Sequence, residues 1–218
     1  LKVGLNVIAM LIGFIAIIQT DMKRLIAYSS VAHMGFVTLG AFMIYVIIGR
    51  THNHADAYMS IEGAMVQMIS HAFSTGALFL SIGILYDRLH SRLIKDYGGV
   101  VNKMPVFTAM ANVGLPGTAG FVGEFMILLS TFKASFWITF AAASTLILSA
   151  SYTLWMFKRV FYGEIKNDAV STLTDIRGTD LILLGFLAFL VLSLGVYPEP
   201  LLQLLHASVG HLLELSLQ

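Results

Sequence analysis

Long apolar stretches, separated by short polar or charged breaks, dominate the chain as far as about position 200. A helix that crosses the roughly 30 Å hydrocarbon core of a bilayer needs about 20 mainly apolar residues. Six stretches approach that length, and we label them spans A to F: residues 3–18, 25–48, 61–86, 104–132, 134–157 and 180–196. The pattern predicts an all-α, polytopic membrane helix bundle of about six transmembrane helices.

The polar breaks predict how these spans are connected. Residues 19–24 are a short polar break, so spans A and B are expected to form a helical hairpin. A polar, histidine-containing loop is expected over residues 49–60, and a charged connection over residues 87–103. Two prolines after span F end that helix. The predicted organisation is a transmembrane bundle over residues 1–200 and an amphipathic tail near the surface over residues 201–218. Because the chain starts at Leu1 within an apolar stretch, we expect it to be part of a longer protein.

Composition supports the membrane interpretation and limits the chemistry. Hydrophobic residues make up 57% of the chain and charged residues 11%, and the mean hydropathy is +0.83. Soluble domains have about 45–50% apolar and about 25% charged residues. The absence of cysteine excludes disulfides and cysteine-ligated iron–sulfur clusters. His52, His54 and Asp56 have a spacing that could bind a metal, but in an exposed loop we expect no metal site.

The distribution of basic residues predicts the orientation of the spans. Of the 13 Lys and Arg residues, ten fall on one side of the predicted bundle and three on the other. The ten are Lys23, Arg24, Arg88, Arg92, Lys95, Lys103, Lys158, Arg159, Lys166 and Arg177, and the three are Lys2, Arg50 and Lys133. Cytoplasmic loops carry an excess of Lys and Arg. The A/B, C/D and E/F loops are therefore expected on the cytoplasmic or matrix side.

Three ionisable residues lie deep inside predicted spans: His33 in span B, His71 in span C and Glu124 in span D. Burying such groups costs about 2.5–3.5 kcal/mol on insertion scales, and they usually mark ion or proton paths. Histidine, with an unperturbed pKa of about 6.5, suits a proton relay. The alternative for each histidine is a neutral ring that donates a hydrogen bond to a neighbouring helix.

Four further residues are candidates for a supporting role. Ser70, Ser74 and Thr75 lie close to His71 in the sequence. They could hold water in a proton path, or bond to their own helix, which is the commoner behaviour of such hydroxyls. Lys23 could support the path as well, but anchoring at the membrane interface already explains it.

Span D contains a predicted break. Gly114, Pro116, Gly117 and Gly120 fall within seven residues, and this composition removes backbone hydrogen bonds and makes a continuous helix improbable. A broken membrane helix is tolerated where protein or a water-filled cavity satisfies the freed backbone groups. The alternative is an ordinary packing kink, because Pro and Gly are also frequent in unbroken transmembrane helices.

Three segments together resemble the antiporter-like subunits of respiratory complex I. They are residues 19–36 (QTDMKRLIAYSSVAHMGF), 67–73 (QMISHAF) and 114–125 (GLPGTAGFVGEF). The resemblance extends over about residues 1–200. Within the family it is closest to the branch formed by chain M of NADH-quinone oxidoreductase and mitochondrial subunit 4. Glu124 decides this, because it stands where the related chains L and N usually have Lys.

The resemblance implies a fold and a set of residue roles. The family fold has fourteen helices in two inverted five-helix repeats, of which this chain would supply the last six. His33 and His71 would match histidines of a hydrated axis across the subunit, and Glu124 the acidic residue of the discontinuous twelfth helix. The family's essential lysines in the seventh and eighth helices, and its glutamate in the fifth, would lie outside this chain.

The function that the resemblance implies is proton translocation in complex I, driven by electron transfer in other subunits. The chain would be a non-redox subunit of the enzyme that binds no cofactor itself, with NADH, FMN, iron–sulfur clusters and quinone held by partner subunits. Its partners would be other membrane subunits, especially neighbouring antiporter-like chains, and the lipid bilayer. The bacterial inner membrane is expected, with the mitochondrial inner membrane as the alternative.

Two other functions remain open at this point. One is a subunit of a related cation/proton antiporter or membrane-bound hydrogenase, and the other is a membrane scaffold without its own ion path. The sequence also departs from the family pattern: only eight residues separate Pro105 from Gly114, about two helical turns fewer than is usual. Either the first half-helix of span D is truncated, or residues are missing from the sequence.

Overall fold

The protein is described by a computed structural model over residues 11–111, 119–165 and 167–217, and nearly all of these residues are helical. Residues 11–17 form a helical segment. The named helices are α1 (Met22–Thr51), α2 (His54–Leu89), α3 (Pro105–Ala111), α4 (Ala119–Ala134), α5 (Phe136–Phe161), α6 (Asp168–Ser171), α7 (Thr179–Val196) and α8 (Glu199–Leu217). Short 3-10 helices cover Ile94–Asp96 and Val100–Asn102. The predicted all-α fold is confirmed.

Four helices in the described part of the chain are long and apolar enough to cross a membrane: α1, α2, α5 and α7. They correspond to predicted spans B, C, E and F. Predicted span D is represented by two shorter helices, α3 and α4, on either side of residues 112–118. The predicted break residues Gly114, Pro116 and Gly117 lie outside the described residues, whereas Gly120 lies in the first turn of α4.

The loop predicted over residues 49–60 is wrong. Only His52 and Asn53 separate α1 from α2, because hydrogen bonds stabilise both helix ends. His52 adopts a left-handed backbone conformation and its N–H donates to Ile48 O, while the Asn53 side chain accepts from Ala55 N at 2.9 Å. The polar residues that suggested a loop instead cap a helix. As a result α2 has 36 residues and a length of about 54 Å, which exceeds the hydrocarbon core.

Three of the connections meet at one end of the bundle, which we call the basic end. Met22 N donates to Arg92 O at 2.9 Å, so the A/B and C/D connections are in contact. Gly99 N donates to Tyr162 O at 3.2 Å, which brings the E/F connection to the same place. Asp175, in the E/F connection, also accepts from the first backbone N–H groups of α3. The loops that carry most of the cations therefore lie together.

The other helix ends meet at the opposite end of the bundle. Lys133 Nζ lies 2.7 Å from Asp56 Oδ1, and Arg50 Nη1 donates to Ala134 O at 3.0 Å. Tyr58 OH donates to His206 O at 2.8 Å, which ties α8 to α2. Asp56, one of the residues considered for a metal site, is thus held in an ion pair.

Two large apolar clusters lie in the described core, one towards each end, and a small third cluster joins Ala119 of α4 to Ala188 and Val191 of α7. Met22, Leu25 and Leu85 belong to the cluster at the basic end, and Met43 and Ile61 to the cluster at the opposite end. The helix α8 joins the second cluster through an apolar stripe at four-residue spacing, formed by Leu205, Val209 and Leu213. Between the two clusters, α1, α2, α4 and α5 present polar side chains to one another.

Candidate functional site

A cavity of about 370 Å³ occupies the polar layer between the two apolar clusters. Its lining comes from four helices: His33 from α1, Gln67 and His71 from α2, Glu124 from α4 and Ser149 from α5. The two helices that carry the histidines are adjacent and pack along much of their length. His33, His71 and Glu124, the three ionisable residues predicted to lie deep inside spans, therefore line the same cavity.

A hydrogen-bonded pair of ionisable groups forms the centre of this site. His33 Nδ1 lies 2.5 Å from Glu124 Oε1. The same carboxyl oxygen accepts a second hydrogen bond from Gln67 Nε2 at 2.9 Å. Glu124 is only 3% exposed and Gln67 1% exposed, whereas the His33 side chain is 25% exposed. At this distance either His33 Nδ1–H donates to a carboxylate or a carboxylic acid donates to Nδ1, so the contact joins two groups that can each carry a proton.

The second ring nitrogen of His33 also has a protein partner. Ser149 Oγ lies 2.9 Å from His33 Nε2. The hydroxyl of Tyr152, one turn further along α5, lies 3.2 Å from Ser149 Oγ and 2.9 Å from Ser29 Oγ. A chain of hydroxyl groups thus leads away from His33 on the side opposite Glu124.

His71 lies beside His33 within the cavity. The two ring centroids are 5.5 Å apart and the rings are tilted by 39°. Thr75 Oγ1, one turn along α2, lies 3.0 Å from His71 Nε2. Both rings line the cavity, which leaves space for water. A proton would need that water to pass from one ring to the other.

Close contact between α2 and α4 holds Gln67 and Glu124 in position. A Cβ atom on Gly123 would lie 2.6 Å from Gln67 N and 2.7 Å from Gly63 O. A Cβ atom on Gly63 would lie 3.0 Å from Gly123 O. Only glycine allows the two backbones to approach this closely. Because Gln67 and Glu124 directly adjoin this contact, their hydrogen bond depends on it.

The supporting residues proposed from the sequence have different positions. Ser74 and Thr75 line the cavity, and Gly120 lines it at the start of α4. Ser70 is fully buried, and its hydroxyl has no hydrogen-bond partner in the described part of the protein. Lys23 is exposed in the first turn of α1, about 15 Å along the helix from His33. The structure brings Ser74 and Thr75 to the site and leaves Lys23 away from it.

Three members of the site were not predicted from the sequence: Gln67, Ser149 and Tyr152. A signal existed for Gln67, because it precedes His71 by four residues and so lies on the same helical face. Ser149 and Tyr152 have the three-residue spacing of one helical face in span E, but polar residues at that spacing are common. Only the packing of α5 against α1 relates them to His33.

A metal site finds no support in the same region. Within residues 11–111, 119–165 and 167–217, no group of three or more His, Cys, Asp or Glu side chains is arranged to hold a metal ion. The ionisable groups of the cavity are instead bonded to one another and to amide and hydroxyl groups. The fold and the site together define an integral membrane protein with a hydrogen-bonded histidine–glutamate pair between its helices.

Comparison with known proteins identifies the family. Residues 3–149 match the family described as "NADH:quinone oxidoreductase/Mrp antiporter, TM", and the chain belongs to this family. Subunit M of the NADH-quinone oxidoreductase of Rhodobacter capsulatus is 45% identical over 208 residues, which cover 93% of this chain and 38% of that subunit. Chain 4 of the NADH-ubiquinone oxidoreductase of Marchantia polymorpha is 39% identical over 219 residues, covering 96% of this chain and 41% of the relative. The resemblance stated from the sequence motifs is confirmed.

Solved structures agree with this assignment. A chain of respiratory complex I from Thermus thermophilus with bound NADH superposes with a TM-score of 0.82 at 29% identity, covering 97% of this chain and 43% of that chain. A chain of the Mrp complex from Dietzia superposes with a TM-score of 0.78 at 18% identity, covering 97% and 46%, which shows a shared fold. This chain spans about two-fifths of the length of the curated relatives named above.

Proposed function

We propose that this chain is part of a proton-translocating membrane subunit of an NADH-quinone oxidoreductase, and that protons pass through Glu124, His33 and His71. The observation that carries the proposal is the 2.5 Å contact between His33 Nδ1 and Glu124 Oε1 beside a cavity in an apolar bundle. Ionisable groups within membrane helices are costly and usually serve ion or proton transfer. The family and its named relatives supply the biological setting.

The chemistry of the pair is the movement of one proton across a short hydrogen bond. With the proton on nitrogen, His33 Nδ1–H donates to the carboxylate; with the proton on oxygen, the carboxylic acid donates to Nδ1. Gln67 Nε2 donates to the same oxygen and holds the carboxyl group beside His33. Charge on one member of the site changes the proton affinity of the next, because Coulomb interactions are stronger in a low-dielectric interior than in water.

In this proposal the redox chemistry takes place in partner subunits. Electron transfer from NADH to quinone would change the charge and hydration along the proton path, and this chain would bind no NADH, FMN, iron–sulfur cluster or quinone. The absence of cysteine from the sequence agrees with a non-redox role. The partners would be other membrane subunits, including neighbouring antiporter-like chains, since the structurally similar chains come from multi-subunit complexes.

The proposed location is the bacterial inner membrane, or the mitochondrial inner membrane as the alternative, with the basic end on the cytoplasmic or matrix side. Contacts among the A/B, C/D and E/F connections support the sidedness, because they place all three at one end of the bundle. Identity supports complex I over a cation/proton antiporter. Among the solved structures, the complex I chain is 29% identical and the Mrp chain 18% identical.

Replacing His33 with Gln tests the proposal. The Gln side chain can still bond to its neighbours but cannot carry a proton, so we expect proton translocation to fall by at least about tenfold while the subunit assembles normally. The measurement is NADH-driven acidification of sealed membrane vesicles that contain the complete subunit in its complex. His211→Gln, on an exposed position of α8, is the matched control and should translocate normally. Normal translocation by His33→Gln would refute the proposal.

A further inference from the structure

Both ring nitrogens of His33 are occupied by protein side chains. Nδ1 faces Glu124 at 2.5 Å, and Nε2 faces Ser149 Oγ at 2.9 Å. A proton can enter or leave an imidazole only through a nitrogen. Water that merely contacts the carbon edge of the ring therefore cannot exchange protons with it. A proton that enters His33 at Nε2, including one that leaves His71 through water in the shared cavity, therefore passes through the Ser149 hydroxyl.

The Tyr152 hydroxyl connects Ser149 to Ser29. It lies 3.2 Å from Ser149 Oγ and 2.9 Å from Ser29 Oγ, and a phenol has one hydrogen to donate. Tyr152 can therefore donate to either serine and accept from the other. The ring is held firmly, since Tyr152 is 1% exposed and packs in the basic-end cluster. These distances give a continuous row of three hydroxyl groups that ends at His33.

We propose that Ser29, Tyr152 and Ser149 form a proton relay that supplies His33 Nε2. In one transfer, an excess proton carried by water in the cavity passes to Ser29 Oγ, and that water molecule is left neutral. Ser29 gives its own proton to Tyr152, Tyr152 gives its proton to Ser149, and Ser149 gives its proton to Nε2. His33 then passes its Nδ1 proton to Glu124. Each hydroxyl gains one proton and loses one, and His33 gains one at Nε2 and loses one at Nδ1, so one proton moves in total. The starting state returns when the three hydroxyls rotate back and His33 returns to its Nδ1–H tautomer.

The position of Ser29 gives the relay a direction. Ser29 lines the cavity and lies one turn of α1 closer to the basic end than His33, a distance of about 6 Å along the helix. Glu124 lies on the other side of the imidazole. The relay therefore leads from the part of the cavity nearest the basic loops towards the buried carboxyl group. This inference rests on the proposed function and specifies the route by which protons reach its central pair.

Tyr152→Phe removes the middle hydroxyl and keeps the ring. We expect NADH-driven proton translocation to fall by about tenfold or more, because a positioned proton-transfer group typically contributes about a hundredfold or more and water replaces part of it. Tyr97→Phe is the matched control. Tyr97 is equally buried and donates to Ser91 O at 2.6 Å, but it lies in the loop region of the basic end. It should leave translocation unchanged in complexes assembled to the same level.

Variants of Ser149 provide a second test, which distinguishes a proton relay from a purely structural role. Ser149→Ala removes the hydroxyl next to His33 and should reduce translocation as Tyr152→Phe does, whereas Ser149→Thr keeps a hydroxyl and should restore most of it. Normal translocation by Tyr152→Phe, or equal loss in Ser149→Ala and Ser149→Thr, would overturn the relay. If Glu124→Gln abolishes translocation while Tyr152→Phe does not, only the relay fails. If Glu124→Gln translocates normally, the proposed function itself fails.

Discussion

Replacing Glu124 with Gln is expected to reduce proton translocation by the assembled complex by at least about tenfold, with the subunit present at its normal level. The two side chains have nearly the same shape, so His33 Nδ1–H can still donate to the remaining oxygen. The amide, however, cannot take up the proton that a carboxylate would. The expected defect is therefore one of proton transfer, and it is measured as acidification of sealed vesicles per NADH oxidised.

Two comparisons make this result specific. Glu214→Gln makes the same chemical change on an exposed position of α8 and should translocate normally. Glu124→Asp keeps a carboxyl group but shortens the side chain, so it should retain more activity than Glu124→Gln if proton binding is what matters. Equal activity in Glu124→Gln and Glu214→Gln would contradict the role assigned to the buried carboxyl group.

Replacing Gly123 with Ala is expected to have the second large effect. The added Cβ would lie 2.6 Å from Gln67 N and 2.7 Å from Gly63 O, and backbone atoms in two packed helices cannot move aside as the end of a side chain can. The helices α2 and α4 would have to separate, at a cost of about 1–3 kcal/mol or more. Both the amount of assembled subunit and its thermal stability in detergent should fall, and the Gln67–Glu124 hydrogen bond should be lost.

The control for Gly123→Ala is Gly83→Ala, which makes the same change in α2, about 30 Å along that helix from Gly63. A Cβ atom on Gly83 would meet nothing within 4 Å. Alanine there should leave stability unchanged or raise it slightly, because alanine favours a helix more than glycine does. If Gly123→Ala assembled as well and were as stable as Gly83→Ala, the close approach of α2 and α4 would not be essential.

The helical membrane fold could be predicted from the sequence because its cause is local. Runs of about 20 apolar residues are sufficient to indicate spans, and α1, α2, α5 and α7 lie where such runs were found. The alternation of basic residues also predicted which connections share one end. The helix bounds could not be predicted as well. Residues 49–60 are polar and look like a loop, but Asn53 caps α2 and Asp56 forms an ion pair with Lys133.

The candidate site could be predicted only in part, because some of its residues are related only by contacts between helices. His33, His71 and Glu124 were conspicuous because each is ionisable within an apolar span, and the structure places all three around one cavity. Gln67, Ser149 and Tyr152 are ordinary residues in sequence. Their importance arises from distances between helices, and such distances follow from packing contacts such as that of Gly63 with Gly123. No periodicity within a single span contains that information.

A double-mutant cycle on His33 and Glu124 tests most directly whether the two residues act as one proton-carrying unit. Proton translocation would be measured in sealed vesicles for His33→Gln, Glu124→Gln and the double variant, each normalised to assembled subunit. Residues that act as a unit show strongly non-additive effects. We therefore expect the double variant to translocate no more slowly than the more impaired single variant. A double variant whose defect is the product of the two single defects would contradict it.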